Sequence, residues 1–221
     1  AHELNQPLAA IANYTSGCAR RLQTGQTQPA ELLEPLERIG AQAKRAAEII
    51  KRLRAFVHKG EHKLAPVDIN QSVREVLTLA EHEIRQSNVI CTLNLDPNLP
   101  PAKADAIQVE QVLLNLIRNG VDAMKFDQFP RRELVIRTNP INNRSAIQVA
   151  VRDFGCGLTP ELADKVFNPF FTTKPEGMGM GLCISKTIIE AHGGRLWASA
   201  NANQGTTFCF TLPANTGADE P

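Results

Sequence analysis

The stretch NLIRNGVDAM, residues 115–124, limits which fold this chain can adopt. Asn115 and Asn119 are one i, i+4 step apart and share one face of a helix, while Ile117 and Val121 occupy the other face. Asparagine oxygens are suitable hard ligands for Mg²⁺, which usually bridges substrate phosphates instead of sitting in a protein cage. Two asparagines alone do not identify a Mg²⁺ site, so the interpretation depends on the segments that follow them.

Two glycine-containing segments follow the asparagines. In DFGCGL, residues 153–158, the carboxylate of Asp153 precedes two glycines that let the backbone approach a planar ligand, and an adenine amino group is the donor that suits it. GMGMGL, residues 177–182, is a turn that opens a helix, where free amides and the helix dipole favour phosphate. Such loops also occur in dinucleotide-binding folds, so this one is weak evidence by itself.

The segment FNPFFTTK, residues 167–174, lies between the two glycine segments and is called the phenylalanine segment below. Thr172, Thr173 and Lys174 would face phosphates. The three phenylalanines either anchor a mobile segment or belong to an aromatic core cluster, and the sequence supports both interpretations equally.

From about residue 64 onward, helical and strand periodicities alternate. We expect helices near 69–87, 105–125, 160–167 and 181–192, and strands near 89–95, 133–138, 146–153, 195–199 and 207–212. This order predicts an α+β domain with helices layered on one sheet.

The N-terminal part has a different pattern. Apolar residues step by four and three from Leu4 to Leu22, and again from Leu32 to Val57. The polar break at 24–29 predicts two helices in an antiparallel hairpin. Because two such helices bury their apolar seams poorly alone, we expect two chains to form a four-helix bundle.

The first helix opens with HELNQPLAAI, residues 2–11. A carboxylate that accepts the N–H of one imidazole nitrogen raises the basicity of the other, and Glu3 is adjacent to His2. Gln6 lies one turn further on the same face as His2. A His-Glu pair at a helix start is usually solvated surface, so only the second half of the chain gives this pair a chemical interpretation.

Composition narrows the class of protein. With 221 residues, 43% hydrophobic and 21% charged, the chain is long enough for two small globular domains. Its formal net charge of +1 gives no basic field for nucleic acid, and no apolar run approaches the ~20 residues of a membrane span. The five cysteines form no CxxC pair, which favours a reducing cytoplasm over a disulfide framework or zinc site.

Taken together and in this order, these segments resemble the homology boxes of sensor histidine kinases. They match the histidine box, the asparagine box, and two glycine boxes flanking a phenylalanine box. The resemblance extends from Ala1 to about Pro213. Within the family, HELNQPLAAI and the run from FNPFFTTK to IIEAHGG are most similar to the nitrogen-fixation oxygen sensors and related kinases.

The resemblance implies two domains and a tail. Residues 1–62 would form the dimerisation and histidine phosphotransfer hairpin, an N-terminal α-helical hairpin that dimerises into a four-helix bundle. Residues 63–214 would form a C-terminal α+β two-layer sandwich of the histidine kinase, gyrase and Hsp90 ATPase type, which lacks a GxxxxGK loop. Residues 215–221 are expected to be a disordered tail.

The resemblance also implies a function. The core would autophosphorylate His2 from ATP with Mg²⁺ and pass the phosphoryl group to an aspartate in the receiver domain of a response regulator. Glu3 would withdraw the proton from the other ring nitrogen of His2. Gln6 stands where relatives carry threonine or asparagine to orient a water that dephosphorylates the response regulator. Asn119 would bind Mg²⁺. The expected cofactor-binding residues are Asn115, Asn119, Asp122, Asp153, Gly155, Gly157, Thr172, Thr173, Lys174, Gly177, Gly179, Gly181 and Leu182. Asp122 stands where many relatives carry a phosphate-facing lysine, a charge that Lys174 would supply instead.

Two alternatives remain at this point. One is a gyrase- or Hsp90-type ATPase, and the other is a catalytically decayed, dimeric signalling scaffold. As partners we expect a second copy of the chain and a response regulator, with no nucleic acid and no membrane contact from this stretch. Because the chain begins at Ala1 without Met, we expect upstream residues. The expected location is cytoplasmic, with a parent protein that is either soluble or membrane-anchored.

Overall fold

The computed structural model describes residues 2–24, 30–57, 64–125, 131–174, 179–202 and 204–215. Its contacts divide the chain into two units, Ala1–Gly60 and Glu61–Pro221. The α-helices are α1 His2–Gln23, α2 Ala30–Val57, α3 Ile69–Gln86, α4 Ala106–Ala123, α5 Pro160–Ala163 and α6 Gly181–Ala191. The strands are β1 Ala65–Val67, β2 Ile90–Leu95, β3 Ala102–Ala104, β4 Glu133–Ile141, β5 Ala146–Arg152, β6 Arg195–Ala200 and β7 Thr206–Pro213.

The first unit is the predicted helical hairpin. Helices α1 and α2 pack against each other. One of their contacts is polar: Arg38 of α2 donates from Nη1 to the Tyr14 hydroxyl of α1 at 3.2 Å. Within α2, Nη2 of the same arginine donates to Oε1 of Glu34 at 2.7 Å. Among the helices in the described ranges, none is both long and apolar enough to cross a membrane.

The second unit contains a five-stranded sheet in the order β2-β4-β5-β7-β6. Strand β2 pairs with β4 in parallel, and the other neighbours are antiparallel. Strands β1 and β3 form a separate antiparallel pair of three residues each. The sequence did not predict this pair, because three residues are too few to show strand alternation. The helix expected near 160–167 divides into α5 and a 3₁₀ turn at Lys165–Phe167.

Alternation along the strands places one face of the sheet in the core. Every second residue of β5 is buried, and Val149 and Val151 pair in register with Phe210 and Phe208 of β7. Helix α4 contacts α3, α6, β4 and β5, so it lies at the centre of the helical layer. Its apolar face, which includes Ile117, is fully buried. The predicted α+β two-layer fold is confirmed.

His192 joins the end of α6 to the start of α4. The residue is 5% exposed. Its Nε2 accepts the Asp105 N–H at 3.0 Å, and its Nδ1 lies 2.7 Å from the Ile188 carbonyl oxygen, to which a neutral ring donates. Asp105 is the N-cap of α4, where its carboxylate accepts the N–H of Gln108. The helix that carries the asparagines is therefore fixed at its start by a partly buried hydrogen bond.

Replacing His192 by leucine is expected to lower the free energy of unfolding of the second unit by about 1–3 kcal/mol, since it leaves the Asp105 N–H without this acceptor. Urea unfolding followed by the fluorescence of Trp197, the single tryptophan, measures this unit. His192→Gln retains an acceptor and should lose less. The exposed His82→Leu on α3 is the matched control, and an equal loss at both histidines would contradict the proposed contribution of the hydrogen bond between Asp105 and His192.

Candidate functional site

The predicted amide face of α4 is present. Asn115 and Asn119 are both partly buried, while Ile117 and Val121 on the opposite side belong to the core. Nδ2 of Asn115 donates to the Ser185 hydroxyl of α6 at 3.0 Å. A Cβ at Gly181 would collide with Oδ1 of Asn115. The first turn of α6 therefore lies directly against the asparagine, and a larger residue at position 181 would require the Asn115 side chain to move.

Asp122, on the turn after Asn119, is surrounded by positive charge. Its Oδ1 lies 2.5 Å from Nζ of Lys125, and its Oδ2 accepts from Nζ of Lys174 at 2.7 Å. The same Lys174 ammonium donates to Oδ1 of Asn119 at 3.1 Å. Partial burial alone would raise the pKa of the Asp122 carboxyl, but hydrogen bonds from the two lysines outweigh burial and hold this pKa below its usual range. Asp122 is therefore ionised at neutral pH.

Asp153 follows β5 and is 2% exposed. Its Oδ1 accepts two backbone N–H groups, from Gly155 at 2.9 Å and from Thr206 at 3.2 Å. Burial raises the pKa of its carboxyl, an effect that these backbone hydrogen bonds oppose without cancelling it. The hydrogen bonds from Gly155 and Thr206 both go to Oδ1, which leaves Oδ2 as the better acceptor for a ligand.

Close backbone contacts fix the turn around Asp153. A Cβ at Gly155 would collide with the Ala123 carbonyl oxygen at the end of α4, and one at Gly205 would collide with the Asp153 carbonyl oxygen. Gly157 and Gly205 have φ angles of +74° and +82°, in the region that favours glycine. The predicted glycines 155 and 157 are thus required by the turn.

The three rings of the phenylalanine segment differ in their burial, which decides between a core cluster and an anchor for a mobile segment. Phe167 is buried, with its ring edge-to-face at 6.4 Å from that of Phe208, and Phe171 packs partly buried against the core. Phe170 is 63% exposed. The core-cluster interpretation therefore holds for two of the three rings.

The remaining predicted residues belong to this segment or follow it in the sequence. The Thr172 hydroxyl accepts the Lys174 N–H at 3.1 Å, and Thr173 is exposed. Gly179 has a φ of +63°, and Leu182 packs partly buried against the core. Gly177 lies outside the described residues.

His2, Glu3 and Gln6 lie on α1 of the first unit. The structure describes their backbone as helical, and their side chains fall outside what it describes. The sequence analysis did not identify Ser185, Gly205 or Thr206. The only sequence signal among them is Gly205 itself, since glycine is common in turns.

Two family models match separate parts of the chain. The model described as histidine kinase-, DNA gyrase B-, and HSP90-like ATPase matches residues 104–216. The model described as His Kinase A (phospho-acceptor) domain matches residues 1–61. The chain belongs to the sensor histidine kinase family. The resemblance inferred from the motifs is therefore confirmed, and the ATPase domain implies that this kinase core binds ATP.

Known proteins are similar to this kinase core over most of its length. Sensor protein FixL of Bradyrhizobium diazoefficiens is 46% identical over 97% of the chain, which spans 42% of that relative. The solved catalytic domain of histidine kinase ThkA is 32% identical with a TM-score of 0.59, and the match covers 69% of this chain and 96% of that one. The structure of ThkA in complex with response regulator protein TrrA matches with a TM-score of 0.71 and 26% identity, over 98% of this chain and 60% of that one.

Proposed function

We propose that this chain is the catalytic core of a sensor kinase that phosphorylates His2 from ATP and then passes the phosphoryl group to an aspartate of a response regulator. The observation that carries the proposal is the combination, in one chain, of a phospho-acceptor domain match at residues 1–61 and an ATPase domain whose buried Asp153 has an oxygen left for a ligand. The functional boundaries that we propose are 1–62 for the hairpin and 63–214 for the ATP-binding domain, with 215–221 as a tail.

Asp153 recognises adenine in this proposal. A carboxylate oxygen accepts but cannot donate, which suits the exocyclic amino group of the base. Gly155 and Gly157 allow the backbone to approach the ring. Gly177, Gly179 and the first two residues of α6, Gly181 and Leu182, would contact the phosphates. Thr172 and Thr173 face the phosphates from the phenylalanine segment.

The asparagine face of α4 is the proposed metal and phosphate end. Asn119 would hold Mg²⁺, and Asn115 would support the metal and phosphates. The residues fit a cation, because Oδ1 of Asn119 already accepts from an ammonium group and an amide oxygen is a hard ligand. Bound Mg²⁺ would neutralise charge on the transferred phosphoryl group.

His2 performs the transfer. One ring nitrogen attacks the γ-phosphorus in line, a nitrogen–phosphorus bond forms, and the bond to the bridging oxygen breaks to release ADP. Glu3 accepts the proton from the other ring nitrogen. The phosphohistidine then donates to the aspartate of the regulator, and Gln6 orients a water that later dephosphorylates that regulator.

A second copy of the chain is the proposed partner of the hairpin. Several leucines of α1 and α2 remain largely exposed in the single chain: Leu8 at 47%, Leu22 at 61%, Leu33 at 61% and Leu36 at 55%. Pairing two hairpins would cover such side chains in a four-helix bundle. The ThkA–TrrA complex supports a response regulator as the second partner.

Transfer of label from γ-labelled ATP with Mg²⁺ to an upstream-extended form of the chain tests the proposal. We expect acid-labile label on the wild type and none on His2→Gln, with equal ATP binding by both. His82→Gln, at an exposed histidine of α3, is the matched control and should be labelled normally. ATP binding and dimerisation without label would contradict autophosphorylation and favour an ATPase or a scaffold.

A further inference from the structure

A carboxylate beside the proposed phosphate end requires explanation. Asp122 is three residues after Asn119 on α4, and a negative charge there would repel a triphosphate. In the structure Lys125 and Lys174 bind one oxygen each of this carboxylate. The group of three therefore has one net positive charge, one less than the two lysines would have without the carboxylate.

The two lysines differ in where they come from. Lys125 follows α4 directly and reaches Asp122 across three residues of sequence. Lys174 comes from the phenylalanine segment, 52 residues away, and its ammonium also donates to Asn119. Of the two lysines, Lys174 is thus the one that joins the phenylalanine segment to the metal and phosphate end of the site.

The ion pair between Lys174 and Asp122 is too exposed to act mainly by stabilising the fold. The side chains of Lys174 and Asp122 are 42% and 32% exposed, and ion pairs this exposed contribute little to folding. A lysine ammonium has three donors on a flexible stem, so it can exchange one acceptor and keep another. Such a contact orients a charge without requiring it to stay in one arrangement.

We propose that Asp122 is a positioning residue that holds Lys174 at the phosphate end of the site, so that the phosphate-binding cation comes from the phenylalanine segment. When ATP binds, Lys174 keeps its hydrogen bond to Asp122 and exchanges the one to Asn119 Oδ1 for a hydrogen bond to a phosphate oxygen. This transfer also releases Asn119 Oδ1 for the metal. The inference rests on the proposed function, since it assumes that the phosphates of ATP lie beside α4.

The sign of the Asp122→Asn effect separates positioning from simple electrostatics. Removing a negative charge near a triphosphate should tighten ATP binding if Asp122 acts only through its charge. If it positions Lys174, ATP binding to the full chain should weaken about tenfold, as it should in Lys174→Gln. The double variant should be no weaker than either single variant, because both remove the same interaction.

Calorimetric titrations with Mg·ATP and with AMP measure these effects. AMP lacks the β- and γ-phosphates, so its affinity should be unchanged in every variant. Lys125→Gln is the matched control: it removes the other lysine from the same carboxylate and should change ATP affinity less than twofold. Placing a cation on α4 in the variant Asp122→Lys combined with Lys174→Gln should restore ATP affinity.

Tighter ATP binding by Asp122→Asn, or additive losses in the double variant, would overturn the inference. The binding assays do not depend on phosphoryl transfer to His2. Normal ATP binding with the expected variant pattern but no labelled histidine would therefore reject the kinase proposal alone. Labelling of His2 with unchanged ATP affinity in the Asp122 and Lys174 variants would reject the positioning role alone.

Discussion

Replacing Asp153 by asparagine is expected to remove ATP binding while leaving the second unit as stable as before, or more stable. The side chain is 2% exposed, so the charged carboxylate pays a desolvation cost that a neutral amide avoids. The amide oxygen can still accept the N–H groups of Gly155 and Thr206. The new NH₂ group replaces Oδ2 and opposes the adenine amino group, donor against donor, which should weaken ATP binding by roughly a hundredfold or more.

ATP titration and urea unfolding of the same samples measure the two effects together. Asp105→Asn is the matched control, because Asp105 caps α4 and asparagine caps a helix about equally well. That variant should keep both ATP affinity and stability. An Asp153→Asn variant that binds ATP normally would contradict the role of Asp153 in adenine recognition. A variant that is less stable than the wild type would contradict the expected desolvation cost of the buried carboxylate.

The pH dependence of this stability difference has a defined sign. Because burial raises the pKa of Asp153 above the unfolded reference of 3.8, the folded state holds this proton more tightly than the unfolded state. The contribution of Asp153 to stability therefore falls as pH rises from the unfolded pKa through the folded one. The advantage of Asp153→Asn should be smallest near about pH 4 and larger at about pH 8. The opposite trend would contradict a raised pKa.

Replacing Asn119 by alanine is expected to leave nucleotide binding largely intact but to lower the rate of His2 labelling by roughly a hundredfold. The variant removes the oxygen proposed to hold Mg²⁺, whereas Asp153 at the other end of the site is unchanged. Lys174 keeps Asp122 as an acceptor, so the phenylalanine segment should stay in place.

Single-turnover labelling at saturating ATP separates this rate from affinity. The exposed Gln111→Ala on the same helix is the control for a change of helix composition, and it should be labelled at the wild-type rate. Raising the Mg²⁺ concentration should partly restore the Asn119→Ala rate. A variant with normal labelling at low Mg²⁺ would exclude Asn119 as the metal ligand.

The sequence predicted the helices and strands whose periodicity and capping residues lie within one element. Helix α4, expected near 105–125, was found at Ala106–Ala123, because its apolar period and its Asp105 cap act within one element. The asparagine face and Asp153 were identified in the same way. Strands β1 and β3 were not predicted, since neither three-residue segment is stable without the other.

The partners of the site residues could not be predicted from the sequence. Thr206 reaches Asp153 across 53 residues because β5 and β7 pair in register, and Ser185 reaches Asn115 across 70 residues because α6 packs on α4. The contact between Lys174 and Asp122 likewise depends on how the phenylalanine segment folds back to α4. These contacts arise from packing between distant segments, about which residue types and local spacing carry no information.

The buried Asp153 also has an evolutionary consequence. Selection for folding alone disfavours a charged group in this position, and a single nucleotide change in an Asp codon is enough to produce Asn. A lineage that ceased to use ATP would therefore be expected to lose this carboxylate early, before the glycines that the surrounding turn requires. Its identity in a related chain should then distinguish a working kinase from a descendant kept only as a scaffold.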